Sequence, residues 1–315
     1  MSEQGKVEHV SAFFSKLEPL GYTLRRVNTN QGRYYVVDDR MFISVTSLID
    51  MTTKTDEGLV RKMCDTGYNE WMRFLNERAT YGTIMHILIA DFLNDTFINF
   101  GILDARIEEL FEEHRVEERK RFHFMDDLRK DLLAFAEFAA EHQILPLCAE
   151  LPMVSFKYGF AGTLDLICLM DIKEKGFFGE VYKSGANKGA PKETYNVKRV
   201  MAIIDFKSGR NGFTDKHADQ LTLCRMLVDE NYPNLLEDYD ASELHTFNWS
   251  PKDWRTEPSY TLKNQTGATP DAVAIAKILI AKEKVKDTIP TFLKTSGMVE
   301  LGQRPTENYH FKRVI

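Results

Sequence analysis

Two short apolar segments each enclose a carboxylate, and that feature limits the folds open to the chain. Gly159-Phe-Ala-Gly-Thr-Leu-Asp-Leu-Ile-Cys-Leu-Met170 contains Asp165, and Met201-Ala-Ile-Ile-Asp-Phe-Lys-Ser-Gly209 contains Asp205. Both segments read as strands of a covered sheet, being too aliphatic for loops. A carboxylate inside such a strand is costly unless a cation or hydrogen-bond donors compensate it. Two of them, on strands that pair, most economically share a divalent metal.

Lys207 follows Asp205 by two residues. Strand side chains alternate, so Asp205 and Lys207 project from one face and Phe206 from the other. Carboxylates that hold a metal beside a lysine suit attack of water on a phosphodiester. The metal lowers the pKa of its water and offsets phosphoryl charge. The ammonium orients the nucleophile or takes part in proton transfer.

Gly162-Thr-Leu-Asp165 followed by Asp205-Phe206-Lys207 resembles the PD-(D/E)XK nuclease superfamily. Within it, the chain is most similar to the RecB-like exonuclease group, which takes in phage and mitochondrial genome-maintenance exonucleases. Tyr81-Gly82-Thr-Ile-Met-His86 resembles the G-x-x-x-H stretch of that group, and Ser44-Val-Thr46 its SVT segment. Gln220-Leu-Thr-Leu-Cys224 resembles its Q-L-x-x-Y helix. Tyr81 stands where arginine is common and Cys224 where tyrosine is usual, departures that bear on DNA contacts and subfamily. The matches span about residues 40 to 255.

The resemblance implies an α/β (α+β) fold with a restriction-endonuclease-like core. A small central mixed sheet is flanked by helices, with additional N- and C-terminal helices. Residues 1–56 are then a helix and hairpin packed on the core, 57–260 the nuclease core, and 261–315 a helical extension. It also implies that Asp165, Asp205 and Glu150 hold Mg²⁺, with the Phe206 carbonyl as a further ligand and His86 completing or supporting the shell. Lys207 orients the attacking water, and Gln220 orients the lysine or the substrate. On composition alone His86, among Ile84, Met85, Ile87 and Leu88, reads as a core histidine, and Glu150 as an edge-strand acid. Oxygen-rich ligands favour Mg²⁺, with Mn²⁺ as a substitute. Zinc lacks its usual motifs here, and no cysteine follows Cys224 to complete an iron–sulfur cluster.

Other basic residues are candidates for DNA contact. Ser208 and Arg210 lie in the turn after the lysine. Residues 171–200 read as an insertion between the two catalytic strands. Lys183, Lys188, Lys192, Lys198 and Arg199 against Glu193 give residues 183–199 a net +4. As a flexible loop this segment either neutralises phosphates or is a solvated excursion. Arg25, Arg26 and Arg33, flanking the turn signal Asn28-Thr-Asn-Gln-Gly32, either meet phosphate or form a solvated hairpin face. Lys120, Arg121, Arg129 and Lys130 are interleaved with acids, as on a salt-bridged solvent face.

Elsewhere, apolar spacing predicts a short helix over 7–20, helix over about 57–92, a helix or helix pair over 107–141, and helix over 270–295. A strand is expected at 244–249, with an aromatic after it that either approaches DNA or anchors the sheet edge. The apolar fraction of 43% and charged fraction of 28% describe an ordinary globular protein. No apolar run reaches the ~18 residues of a membrane span. The opening residues lack the apolar core of a secretion signal, and four scattered cysteines suit reduced thiols. The expected location is therefore the cytoplasm of a bacterial or phage-infected cell. A formal charge of -6 argues against a nonspecific nucleic-acid coat, yet a catalytic groove needs only local positive charge.

Together these features lead to a metal-dependent DNA exonuclease of recombination, repair or phage DNA processing. Its partners would be single-stranded or duplex DNA ends and a recombination or single-strand-binding protein. An endonuclease or flap-processing enzyme of the same fold is the first alternative. A catalytically inactive DNA-binding protein is the second, though mere binding would not call for two carboxylates and a lysine.

Overall fold

The computed structural model describes residues 7–29, 32–52, 57–95, 99–176, 183–185, 188, 194–210 and 212–267. In chain order its strands are β1 (Val7–Val10), β2 (Phe14–Ser15), β3 (Leu24–Thr29), β4 (Gly32–Val37), β5 (Arg40–Ser44), β6 (Leu145–Ser155), β7 (Phe160–Gly176), β8 (Thr194–Phe206), β9 (Leu244–Pro251) and β10 (Tyr260–Asn264). Its helices are α1 (Val45–Thr52), α2 (Glu57–Thr66), α3 (Tyr68–Asp95), α4 (Phe100–Glu113), α5 (Glu118–Glu141), α6 (Asp215–Asn231) and α7 (Leu235–Asp238). The chain thus forms a mixed α/β fold, with a central sheet ordered β1-β3-β4-β5-β7-β8-β9-β10, off which β6 pairs with β7 and β2 with β6. This is a generic restriction-endonuclease-like architecture.

The path of β7 sets the geometry of everything that follows. β6 runs antiparallel along one edge of β7, from Leu145↔Leu169 to Ser155↔Phe160. The other edge is shared by two strands. β5 takes Phe160 and Ala161 in parallel, and β8 takes Leu166 to Gly176 antiparallel. Residues 162–165 therefore lie in a split between β5 and β8.

Helices cover both faces. α3, α4 and α5 pack Ile84, Leu88, Ile107, Leu110, Phe135 and Phe138 onto the Leu166, Ile204 and Trp249 side. α1, α6 and α7 pack Leu48, Leu221, Leu227 and Leu235 onto the Ile167 and Ile203 side. Ser44 begins α1 by accepting the Ser47 N–H at 3.1 Å, which accounts for the serine of the SVT segment. Among the described residues, no helix is long and apolar enough to cross a membrane.

Several expectations need correction. Residues 7–20 carry β1 and β2 rather than a helix, because each finds a sheet edge, on β3 and β6 respectively. Helical spacing in a short segment yields to such pairing. Gly82 permits either close packing or a helix break, and the structure shows the close packing, with α3 continuous through it. The break falls at Gly67, whose φ of +88 suits glycine, while Gly82 lets the chain after Lys207 approach. A β-carbon there would meet Ser208 Oγ at 3.3 Å. The supposed insertion is in good part strand, since 171–176 and 194–200 continue the β7–β8 ladder to Gly176↔Thr194. Residues 261–264, expected to open the helical extension, belong to β10 instead. The helix expected over 270–295 lies outside the described residues.

Candidate metal centre

Asp165 sits in the split between β5 and β8. Its Oδ2 accepts the Phe206 N–H at 2.7 Å, standing in for a ladder partner where β8 ends. On the opposite edge Glu150 of β6 falls between Ala149↔Leu166 and Leu151↔Leu164, across from Asp165. Glu150 adopts φ +53, a left-handed conformation that costs a non-glycine residue about 1–2 kcal/mol. Such a conformation persists only where the surrounding structure over-determines it.

α3 supplies the third group. His86 Nδ1 lies 3.0 Å from Glu150 Oε1 and 3.7 Å from Asp165 Oδ1. One ligand atom from each of His86, Glu150 and Asp165 lies within 4.8 Å of the others. An imidazole nitrogen and two carboxylate oxygens, all partly buried, fit a divalent cation by their chemistry. The His86 ring is held edge-on to Phe206 at 5.7 Å, and Phe206 packs in turn on Phe135 and Trp249.

Asp205 lines the same cleft but lies outside this group of three. It is nearly buried, and three donors approach within 2.7 Å: Lys207 Nζ and Gln220 Nε2 on Oδ1, and Asn248 Nδ2 on Oδ2. Lys207 Nζ also donates to Gln220 Oε1 at 3.0 Å. Lys207 and Asp205 thus share a face, as the alternation requires, and Phe206 turns to the other. Gln220 touches both. Cys224, one turn on, is buried packing.

The charges are mutually dependent. Burial raises the pKa of Asp165 and of Asp205, with His86 and Lys207 opposing the shift. Burial disfavours the charged form of His86, but Asp165 and Glu150 outweigh it and its pKa rises to about 9. For Lys207 burial is likewise outweighed, by Asp205 and Asp165, and its pKa is raised.

Sequence reasoning did not find Asn248 and Gln265. Gln265 Nε2 donates to Asn248 Oδ1 at 3.0 Å, which fixes the Asn248 amide toward Asp205. The available signal was a lone amide within Leu244-His-Thr-Phe-Asn-Trp249. Reading it required the parallel register Asp205↔Asn248.

The basic candidates separate. Arg26 and Arg33 line the cleft of about 370 Å³ that contains His86, Glu150, Asp165, Asp205 and Lys207. β3 and β4 put them there, through the register Arg26↔Tyr35 and Asn28↔Arg33. Tyr35 itself reaches Thr163, with 2.9 Å between the hydroxyl oxygens. Arg25, of opposite parity, donates to the Asp38 carbonyl. Ser208 lies against Gly82. Arg210 Nη2 donates to the fully buried Asp131 at 2.6 Å, and its Nε lies 2.8 Å from Asp253. Lys198 pairs with Glu243 and Arg199 with Asp171 on the sheet. Lys183 and Lys188 are exposed, and Lys192 lies outside the described residues. Lys120, Arg121, Arg129 and Lys130 each pair with a carboxylate, as their interleaving suggested. Trp254 donates to the Lys130 carbonyl, anchoring β9 and β10 to α5.

No protein-family model matches this chain, and no curated protein matches it.

Proposed function

We propose that the chain is a divalent-metal-dependent nuclease of the PD-(D/E)XK superfamily, RecB-like in type, which hydrolyses DNA phosphodiesters from strand ends. One observation carries this reading: the His86–Glu150–Asp165 group and the Asp205–Lys207–Gln220 group open into one cleft. A divalent cation bound at the first group would lower the pKa of water and offset charge developing on a phosphoryl oxygen.

The chain's own residues supply the rest. Asp205 and Gln220 hold the Lys207 ammonium, which keeps one charged donor at a fixed point beside the first group. There it orients a nucleophilic water or exchanges its proton. Glu150 holds the imidazole of His86. Arg26 and Arg33 bring guanidinium groups to a cleft otherwise rich in carboxylates, which suits a polyanionic substrate with several phosphates. Oxygen-rich ligands favour Mg²⁺, with Mn²⁺ able to replace it.

The test uses end-labelled linear DNA, single-stranded and duplex, beside covalently closed circles in Mg²⁺, in Mn²⁺ and in chelator. Early release of mononucleotides or very short products from linear DNA alone, abolished by chelator, supports the reading. Rapid cutting of circles would make the protein an endonuclease or flap-processing enzyme. Binding without cleavage in either metal would make it an inactive relative.

A further inference from the structure

α3 enters the cleft at Gly82 and His86, but the helix begins far outside it, at Tyr68. Tyr68, Met72, Leu75, Ala79, Gly82 and His86 are spaced four, three, four, three and four residues apart and so share one face. At 1.5 Å per residue that line is about 27 Å long. Its outer part is open to solvent: Tyr68 is 65% exposed, Leu75 38% and Met72 36%.

The line carries no carboxylate and no cation before His86. The charged residues of this half of α3 lie on its other sides. Arg73 is near Glu70 and Glu77, at 3.6 and 3.8 Å, and Arg78 covers the Phe74 ring at 5.5 Å. Trp71 is turned inward beneath Lys62. Single exposed apolar residues are common on proteins. A charge-free line that ends at candidate metal ligands is a different matter, because whatever reaches those ligands along α3 passes over it.

The cleft that the line reaches at Gly82 and His86 also receives Arg26 and Arg33, from β3 and β4. A polymer that matches both the arginines and the apolar line has an anionic backbone and flat apolar faces. Unpaired nucleotides have that form, with phosphates for the arginines and bases to stack on Tyr68 and lie over Met72 and Leu75. A duplex does not, because its bases are enclosed and its phosphates face outward on both strands.

Resting on the nuclease reading above, we infer that the Tyr68-to-His86 face of α3 is a track for the unpaired bases of a single DNA strand. The cleft then takes single-stranded DNA in preference to duplex.

Fluorescence anisotropy with a labelled oligothymidylate and with a duplex of equal length, in Ca²⁺ to hold back cleavage, tests this. The single strand should bind at least about ten-fold more tightly than the duplex. The double variant Tyr68→Ala/Leu75→Ala should weaken single-strand binding about ten-fold or more, as loss of base stacking does, and leave duplex binding unchanged. Both positions are exposed, and circular dichroism checks folding. Equal binding of the duplex, or a double variant that binds the single strand like wild type, would overturn the track. So would a wild-type dimer that the double variant dissociates, since the face would then belong to a second copy. Wild type that cleaves DNA in Mg²⁺ while the variant binds normally rejects the track alone; wild type that neither binds nor cleaves any DNA rejects the nuclease reading.

Discussion

Glu150 meets His86 at 3.0 Å from a backbone twisted to φ +53, so one residue of β6 is strained where it faces α3. Glycine adopts that conformation without strain, whereas alanine is strained there by its β-carbon. Glu150→Gly should therefore unfold at higher denaturant than Glu150→Ala, by about 1 kcal/mol in chelator. Both should lose metal affinity by more than about ten-fold, since outer-shell losses alone reach that size. Chemical denaturation and calorimetric metal titration check the two halves. Equal stability of the two variants would mean that the backbone relaxes once the carboxylate is gone.

Lys207 has two roles to separate, as a charge partner for Asp205 and as a group in the reaction. Lys207→Met keeps much of the length and loses the charge. Single-turnover cleavage should fall ~10²–10⁴-fold, the usual cost of losing acid–base help, while DNA affinity in Ca²⁺ changes far less. Steady-state turnover is a poor substitute where product release limits the rate. A near-normal single-turnover rate would make the lysine a structural counterion.

How much of this was legible depends on how far each contact reaches along the chain. The β7 and β8 cores could be read from aliphatic runs, and alternation placed Asp205 and Lys207 together against Phe206. His86 could be placed only through its spacing from Gly82, since its apolar neighbours equally suit a core histidine. Asn248 could not be found, because the β8–β9 pairing that sets it against Asp205 spans the whole of α6 and α7. Arg210 looked like a phosphate ligand because its buried partner, Asp131, is on α5, 79 residues away. The outer part of the β7–β8 ladder was hidden by composition. Lys173-Glu174 and Tyr195-Asn196 are exposed and offer no apolar alternation, so no strand signal arises there.

Asp131 gives a pH dependence away from the metal ligands. Burial raises its pKa to about 6, although Arg210 and the Tyr81 hydroxyl favour the ionised form. The unfolded chain releases this proton near pH ~3.9, so between there and about 6 the folded state holds the proton and the unfolded state does not. Stability from this group is full below the lower value and is lost as pH rises through the upper one. Relative to Asp131→Asn, wild type should lose about 1.4 kcal/mol per pH unit across that window, about 3 kcal/mol in all. Urea denaturation of both proteins at intervals from pH 4 to 7 measures the difference. A constant difference would show that Asp131 titrates normally in the fold.

The amide pair behind Asp205 predicts non-additive losses. Asn248 is fully buried and Gln265 nearly so, and the Asn248 amide links the Gln265 side chain to Asp205. Asn248→Leu removes the donor from Asp205 Oδ2 and strands the Gln265 side chain, each an unsatisfied buried group costing about 1–3 kcal/mol. Gln265→Leu leaves the Asn248–Asp205 bond in place and should cost less. In the double variant the stranded amide is gone, so the summed single losses should exceed the double loss by about 0.5–3 kcal/mol. Activity separates the two differently. If the pair positions Asp205, and through it Lys207, Asn248→Leu should lower the single-turnover rate more than it lowers DNA affinity in Ca²⁺. Additive stabilities together with an unchanged rate would reduce the pair to ordinary packing between β9 and the chain end of β10.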